Sequence, residues 1–220
     1  MRKFIDIYDE RYMIFLKNYP LVEEKYNTPY GMPELDPLRH EISLCLMFGF
    51  HQAAITLTNH LIEWYVKLML IYKDSIEKSK SKDASKSNYD NLESYFEEGI
   101  NSYMGKDMSI TINKAKSMGI FTKEQWKKLD EIREDFRNAF SHADSSKIFK
   151  DIEIEVTGLS TTNGTFKSES PLLRRISKNP IMQGQMKVNF AELHAIEYFT
   201  FIDDLIRETL PKVIPSINKK

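Results

Sequence analysis

The 220-residue chain carries 31 basic and 32 acidic side chains, a formal net charge of −1, so no whole-molecule field marks it as a histone-like or polybasic membrane binder. Hydrophobic residues make up 41 % and aromatics 12 %, with 8 Gly and 8 Pro; this excludes a disordered or fibrous chain, lacks the turn residues of a β-sandwich and leans helical. A chain of this length buries about 70 % of its unfolded surface without staples, and its one cysteine, Cys45, excludes an internal disulfide framework and a cysteine-based zinc site, fitting a reducing, cytoplasmic compartment.

Phe4, Ile5, Tyr8, Tyr12, Phe15 and Leu16 recur at three- and four-residue steps, which predicts an amphipathic helix over 3–18 that Pro20 stops. Tyr26 to Pro37 is rich in Pro and Gly, so residues 1–35 read as an N-terminal helix and a Pro-rich linker, and Asp36-Pro37 supplies a cap and an N1 proline for the next helix. From Leu38 to about Tyr72 apolar residues run almost all round the wheel, predicting one long helix or a helix pair at the buried centre of a bundle. Thr56, Asn59, His60, Glu63 and Lys67 form one polar stripe on it, within about 100° of arc. The stripe is either a solvated edge with a Glu63–Lys67 pair or the wall of a functional groove.

Residues 73–90 are dominated by Ser, Lys and acids and read as a mobile inter-helix loop. Two amphipathic helices follow, Tyr89 to Tyr103 and Ser109 to Met118, the second closed by Gly119 at C′. Thr122-Lys123-Glu124-Gln125 is a capping box, with Phe121 and Trp126 as its hydrophobic staple. Trp126, Leu129, Ile132, Phe136, Ala139 and Phe140 carry that helix to about His142. Ile152, Ile154 and Val156 alternate with polar residues, Asn163-Gly164 is a hairpin signal, and Met186, Val188 and Phe190 alternate again, which predicts a small β-hairpin insertion near 150–190. A C-terminal helix runs from Ala191 to Leu210, ended by Pro211, within a segment 191–214. No run of about 18 apolar residues or apolar leader is present, which predicts neither export nor a membrane span. The chain reads as one mainly α domain, a helical bundle with a small β element.

At 100° per residue, Arg137, Asn138, Ser141 and His142 share the polar face of the helix opened by Thr122. Arg137 stands i, i+4 from Ser141, and Asn138 i, i+4 from His142, so a guanidinium, an amide, a hydroxyl and an imidazole converge. Such a set suits phosphate: arginine grips it with a planar fork, and histidine moves a proton near neutrality. Asp130, Glu131, Glu134 and Asp135 lie on the same face, so Arg137 pairing with Glu134 on a solvated surface is the competing account. His40, His51, His60, His142 and His194 show no metal-ligand spacing, and no phosphate-binding glycine loop exists, so neither a metal nor a cofactor is expected. Cys45 in an apolar run reads as a small core residue and His194 as helix packing. Arg174, Arg175, Lys178 and Lys187 form either a basic rim for RNA or a solvated loop.

Arg137-Asn138-Ala139-Phe140-Ser141-His142 resembles the Arg-x4-6-His signature of the HEPN superfamily (higher eukaryotes and prokaryotes nucleotide-binding), in which a polar residue, often Asn, follows the Arg. The flanking Ile132 to Phe136 run and the helix Leu57 to Leu68 are similar to the two central helices of that all-α bundle. The resemblance implies a metal-independent endoribonuclease, of the kind found among bacterial toxins and abortive-infection defence proteins, acting as a homodimer on RNA, with an antitoxin or regulatory partner. It implies that Arg137 binds the scissile phosphate, His142 acts as acid or base and Asn138 positions the phosphate or the imidazole. Ser141 stands beside them, and Glu63 and His60 on the central stripe are further candidates that the resemblance does not supply. Superfamilies of this kind also contain non-catalytic RNA- or nucleotide-binding modules and partner-docking adaptors, which remain alternatives.

Overall fold

The computed structural model describes residues 4–81, 92–141, 149, 152–156, 159–162, 165–168 and 172–215. The protein is mainly helical: α1 (Phe4–Asn27), α2 (Asp36–Met47), α3 (His51–Ser81), α4 (Leu92–Tyr103), α5 (Met108–Ser117), α6 (Lys123–Ile132), a π-helical turn (Arg133–Arg137), α7 (Asn138–Ser141) and α8 (Pro180–Val213). Helix α3 is the axle. Ile55, Leu61, Ile62, Tyr65, Met69 and Leu70 are fully buried along it, and α2, α4, α5, α7 and α8 all pack against it, α8 most extensively. This is why its apolar residues run round the wheel: it has neighbours on nearly every side.

The elements depart from the sequence expectations at several places. Helix α1 does not stop at Pro20 but runs through it to Asn27. The proline removes one backbone bond, and packing on α2 carries the helix past the gap: Asn18 Nδ2 donates to the Leu46 carbonyl at 2.9 Å, and Phe15 lies 5.3 Å from Phe48. Of the alternatives for 38–72, the structure has the helix pair. The break is a Schellman closure in which Gly49, at φ +75°, donates to the Leu46 carbonyl at 3.1 Å and Phe50 to Cys45 at 2.7 Å. Asp36 is not a cap of α2, whose N-cap position is Leu35. Its carboxylate instead turns back to accept from the amides of Tyr30, Gly31 and Met32 at 2.7, 3.0 and 2.9 Å, which fixes the linker.

Residues 73–81, expected in a mobile loop, continue α3. Ser75 is buried and its hydroxyl donates to the Tyr95 carbonyl at 3.0 Å, so α4 supplies the packing that composition did not reveal; the rest of that expected loop, 82–90, lies outside the described residues. The end of α5 and the start of α6 follow expectation. Gly119 takes φ +73°, and the capping box is closed by Gln125 N to Thr122 Oγ1 at 3.2 Å and Thr122 N to Gln125 Oε1 at 2.9 Å.

Between α7 and α8, four short strands β1 (Glu153–Val156), β2 (Leu159–Thr162), β3 (Thr165–Ser168) and β4 (Leu172–Arg175) pair as two antiparallel ladders, β1 with β4 and β2 with β3. Met186, Val188 and Phe190, expected in a strand, are helical: α8 begins at Pro180 under an Asn179 cap and runs through Pro211 to Val213. Alternation over five residues loses there to the capped helix start and to Phe190 packing on Phe136, 5.3 Å away. Pro211 is tolerated because the last turns are held, the Thr209 and Tyr65 hydroxyls meeting at 2.5 Å. Among the described residues no helix is long and apolar enough to cross a membrane.

Candidate functional site

The helix that begins at Thr122 does not reach Ser141 as a regular α-helix. After Ile132 the turn Arg133–Arg137 is π-helical, and one extra residue in a turn sets everything downstream back by about 100°. That rotation decides what Arg137 and Ser141 face. On a regular helix they would share the polar face with Asp130 and Glu131; set back, they come onto the side that packs on α3.

Two rungs join the helices there. Arg137 Nη2 donates to Glu63 Oε2 at 3.3 Å, and Asn59 Nδ2 donates to Ser141 Oγ at 3.0 Å. Asn59 and Glu63 are four apart on α3, as are Arg137 and Ser141 on the facing element, so the spacing of one helix matches the other. The polar stripe on the central helix is therefore neither wholly a solvated edge nor an open groove, since its Asn59 and Glu63 are partnered from across the interface. The expected pair within the stripe is also present, with Lys67 Nζ donating to Glu63 Oε1 at 2.8 Å.

The Glu63 carboxylate thus sits between two cations, with side chains 26 % exposed for Glu63, 11 % for Lys67 and 18 % for Arg137. Burial pushes its pKa up, but the Lys67 ammonium and the Arg137 guanidinium outweigh that and hold it below its ordinary value. An ionised, doubly engaged carboxylate is a poor proton carrier and a good anchor, so the geometry gives Glu63 the work of orienting Arg137.

Two further residues complete the arrangement: Asn59, which is on the stripe but not among the sequence candidates, and Tyr198, whose hydroxyl carries no signal in the sequence. Both are buried, at 3 % and 4 % exposure. The Tyr198 hydroxyl donates to Asn59 Oδ1 at 2.7 Å, and Asn59 Nδ2 also reaches the carbonyl of Phe136 at 3.4 Å. The Tyr198 ring stacks on Phe136 at 4.3 Å. Phe136, Phe140 and Phe190 complete an aromatic layer between the π turn and α8, with Phe140 and Phe190 6.2 Å apart.

Among the other candidates, His60 is exposed on α3 and is not brought to Arg137. Asn138 opens α7, its side chain outside the description, and His142 lies outside the described residues. Arg133 pairs with Asp130 at 3.1 Å, so this much of the acidic face is occupied locally while Arg137 turns inward. His194, its side chain 42 % exposed, lies 4.6 Å from the ring of Phe190, one turn back on the same helix. Cys45 is half-buried against the core; burial and Glu41 push its thiol up, away from nucleophilic use. Of the basic rim, Arg175 is engaged by Glu153 at 2.9 Å, while the Lys187 ammonium lies 4.8 Å from the centroid of Phe140, where burial lowers its pKa. Among the described residues no group of three or more His, Cys, Asp or Glu side chains is placed to hold a metal ion. Comparison of the chain with protein-family models, with curated proteins and with solved structures found no match.

Proposed function

We propose that this chain is a metal-independent endoribonuclease of the HEPN type, a cytoplasmic homodimer in toxin or phage-defence biology. The observation that carries the reading is the Glu63-anchored Arg137, a guanidinium held in fixed orientation one helical turn from Ser141. A pre-oriented arginine is what charge development on a phosphate requires, because no reorganisation is left for the moment of reaction. In this mechanism the ribose 2′-oxygen attacks the adjacent phosphorus, its proton leaves, the bond from phosphorus to the 5′-oxygen breaks, and that oxygen takes up a proton. The products are a 2′,3′-cyclic phosphate and a 5′-hydroxyl. Arg137 binds the non-bridging oxygens, His142 takes or delivers the proton, and Asn138 positions the phosphate or the imidazole. The need for a 2′-hydroxyl makes RNA the substrate. A second reading, an RNA- or nucleotide-binding module without cleavage, draws on the same ion pair, since Glu63 offsets part of the Arg137 charge.

Incubating wild-type, Arg137→Ala and His142→Ala proteins with total cellular RNA in excess EDTA decides between them. Cleavage by wild type alone, leaving cyclic phosphate ends, is the expected result. RNA affinity without cleavage selects the binding module, and equal cleavage by all three proteins overturns the assignment of Arg137 and His142.

A further inference from the structure

We infer that Asn59 and Tyr198 are the positioning residues of this site: their buried amide and hydroxyl hold the π turn in its widened form and so set the direction in which Arg137 points. The inference rests on the reading of Arg137 as the phosphate-binding residue and adds the two groups that aim it.

Four elements meet at one amide. Asn59 on α3 accepts from Tyr198 of α8 at 2.7 Å, and donates to Ser141 of α7 at 3.0 Å and to the Phe136 carbonyl inside the π turn at 3.4 Å. A π turn disturbs the backbone ladder and leaves carbonyls poorly matched, and it persists where something outside the helix supplies a partner. The Asn59 amide is that partner. Its orientation is not free: with the Tyr198 hydroxyl donating to Oδ1, only the Nδ2 face is left for Phe136 and Ser141. Burial holds the Tyr198 phenol far above its ordinary pKa, so it stays a donor throughout the working range.

Packing alone does not require this arrangement. Asn59 shares its face of α3 with Ile55, Ile62 and Val66, all buried, and a leucine there would avoid desolvating an amide. What the amide adds is direction, because hydrogen bonds specify one rotation of the facing element whereas an apolar contact accepts several. The two rungs then act as one. With Asn59 on Ser141, Arg137 falls opposite Glu63; if the turn relaxes to a regular helix, both rotate by about 100° and the ion pair is lost.

The test uses two conservative variants and a control. Tyr198→Phe keeps the ring that stacks on Phe136 and removes only the hydroxyl; Asn59→Leu removes the amide. Tyr65→Phe is the control, deleting a buried hydroxyl that meets Thr209 at 2.5 Å, two residues on from Glu63 and so on the far side of α3. The first readout needs no RNA: the Arg137 Nε–Hε cross-peak in nitrogen-15 spectra of the whole chain, assigned by its loss in Arg137→Lys. It is expected to shift or broaden in Tyr198→Phe and Asn59→Leu and to stay in place in Tyr65→Phe. The second is RNA cleavage, in which kcat is expected to fall about tenfold to a hundredfold with KM within about twofold. An unmoved cross-peak in Tyr198→Phe, an equal shift in Tyr65→Phe, or a moved cross-peak with unchanged kcat overturns the inference. If the wild type cuts no RNA and the cross-peak still moves, the positioning of Arg137 stands and the ribonuclease reading alone falls.

Discussion

Glu63 holds Lys67 with one oxygen and Arg137 with the other, so removing its charge leaves two largely buried cations facing each other. Glu63→Gln is expected to lower stability by about 1–2 kcal/mol at neutral pH in urea titrations, the solvent-facing part of the cluster keeping the figure modest. The pH dependence follows from the direction of its shift. A carboxylate whose folded pKa lies below its ordinary 4.5 contributes stability in full above that value and loses it as the pH falls through the folded pKa. The gap between wild type and Glu63→Gln is therefore expected to narrow in the acid range below about pH 4.5 and to be flat above it. At this scale the sequence was partly readable. Glu63 stood out because a charge on a greasy helix needs a partner, and the structure supplies one in Arg137; His60, on the same stripe, faces solvent. Tyr198 was hidden, since an aromatic on an apolar helix reads as core and the use of its hydroxyl exists only once α3 lies beside it.

Elements were legible where their signals are local and strained where they depend on neighbours. The capping box at Thr122 and the C′ glycine at residue 119 are short-range hydrogen-bond patterns, and both are present as read. Pro20 and Pro211 are local signals too, but each sits in a helix whose flanks are fastened by packing, so the breaker was overridden. The π turn had no signal in the spacing: it exists because Phe136 and Phe140 face α8 while Arg137 and Ser141 face α3, a compromise that no single helix's periodicity contains. The turn between α2 and α3 offers a direct check. Gly49 has φ +75° and a Cβ there would stand 2.9 Å from Ile14 Cγ2, so Gly49→Ala meets both a left-handed backbone and the side of α1. A loss of at least about 1–2 kcal/mol is expected in urea titrations from the backbone alone, with the Arg137 site unchanged.

Over the whole molecule, α1 and the linker after it are fastened to α8 at Asp203. Its carboxylate is fully buried and accepts from the Tyr30 hydroxyl at 2.7 Å and from Arg207 Nε at 2.7 Å, with Lys25 Nζ at 3.4 Å. Nothing in the sequence paired these residues, because each looks like an ordinary helix or linker residue until α8 returns to the linker after α1. Asp203→Ala is expected to cost about 3–5 kcal/mol, since it strands a phenol and two cations in a place with little water. The kinetics of that loss carry a further consequence. The Tyr30 to Asp203 bond spans 173 positions, and drawing such a loop shut costs about 4–5 kcal/mol of chain entropy. Contacts of that span form late, so in a chevron plot Asp203→Ala is expected to steepen the loss mainly through faster unfolding, with the refolding limb little changed. A clasp that closes last opens first, so the lifetime of the folded protein under heat or protease is expected to shorten in Asp203→Ala, a change on a different part of the molecule from the arginine that carries its proposed chemistry.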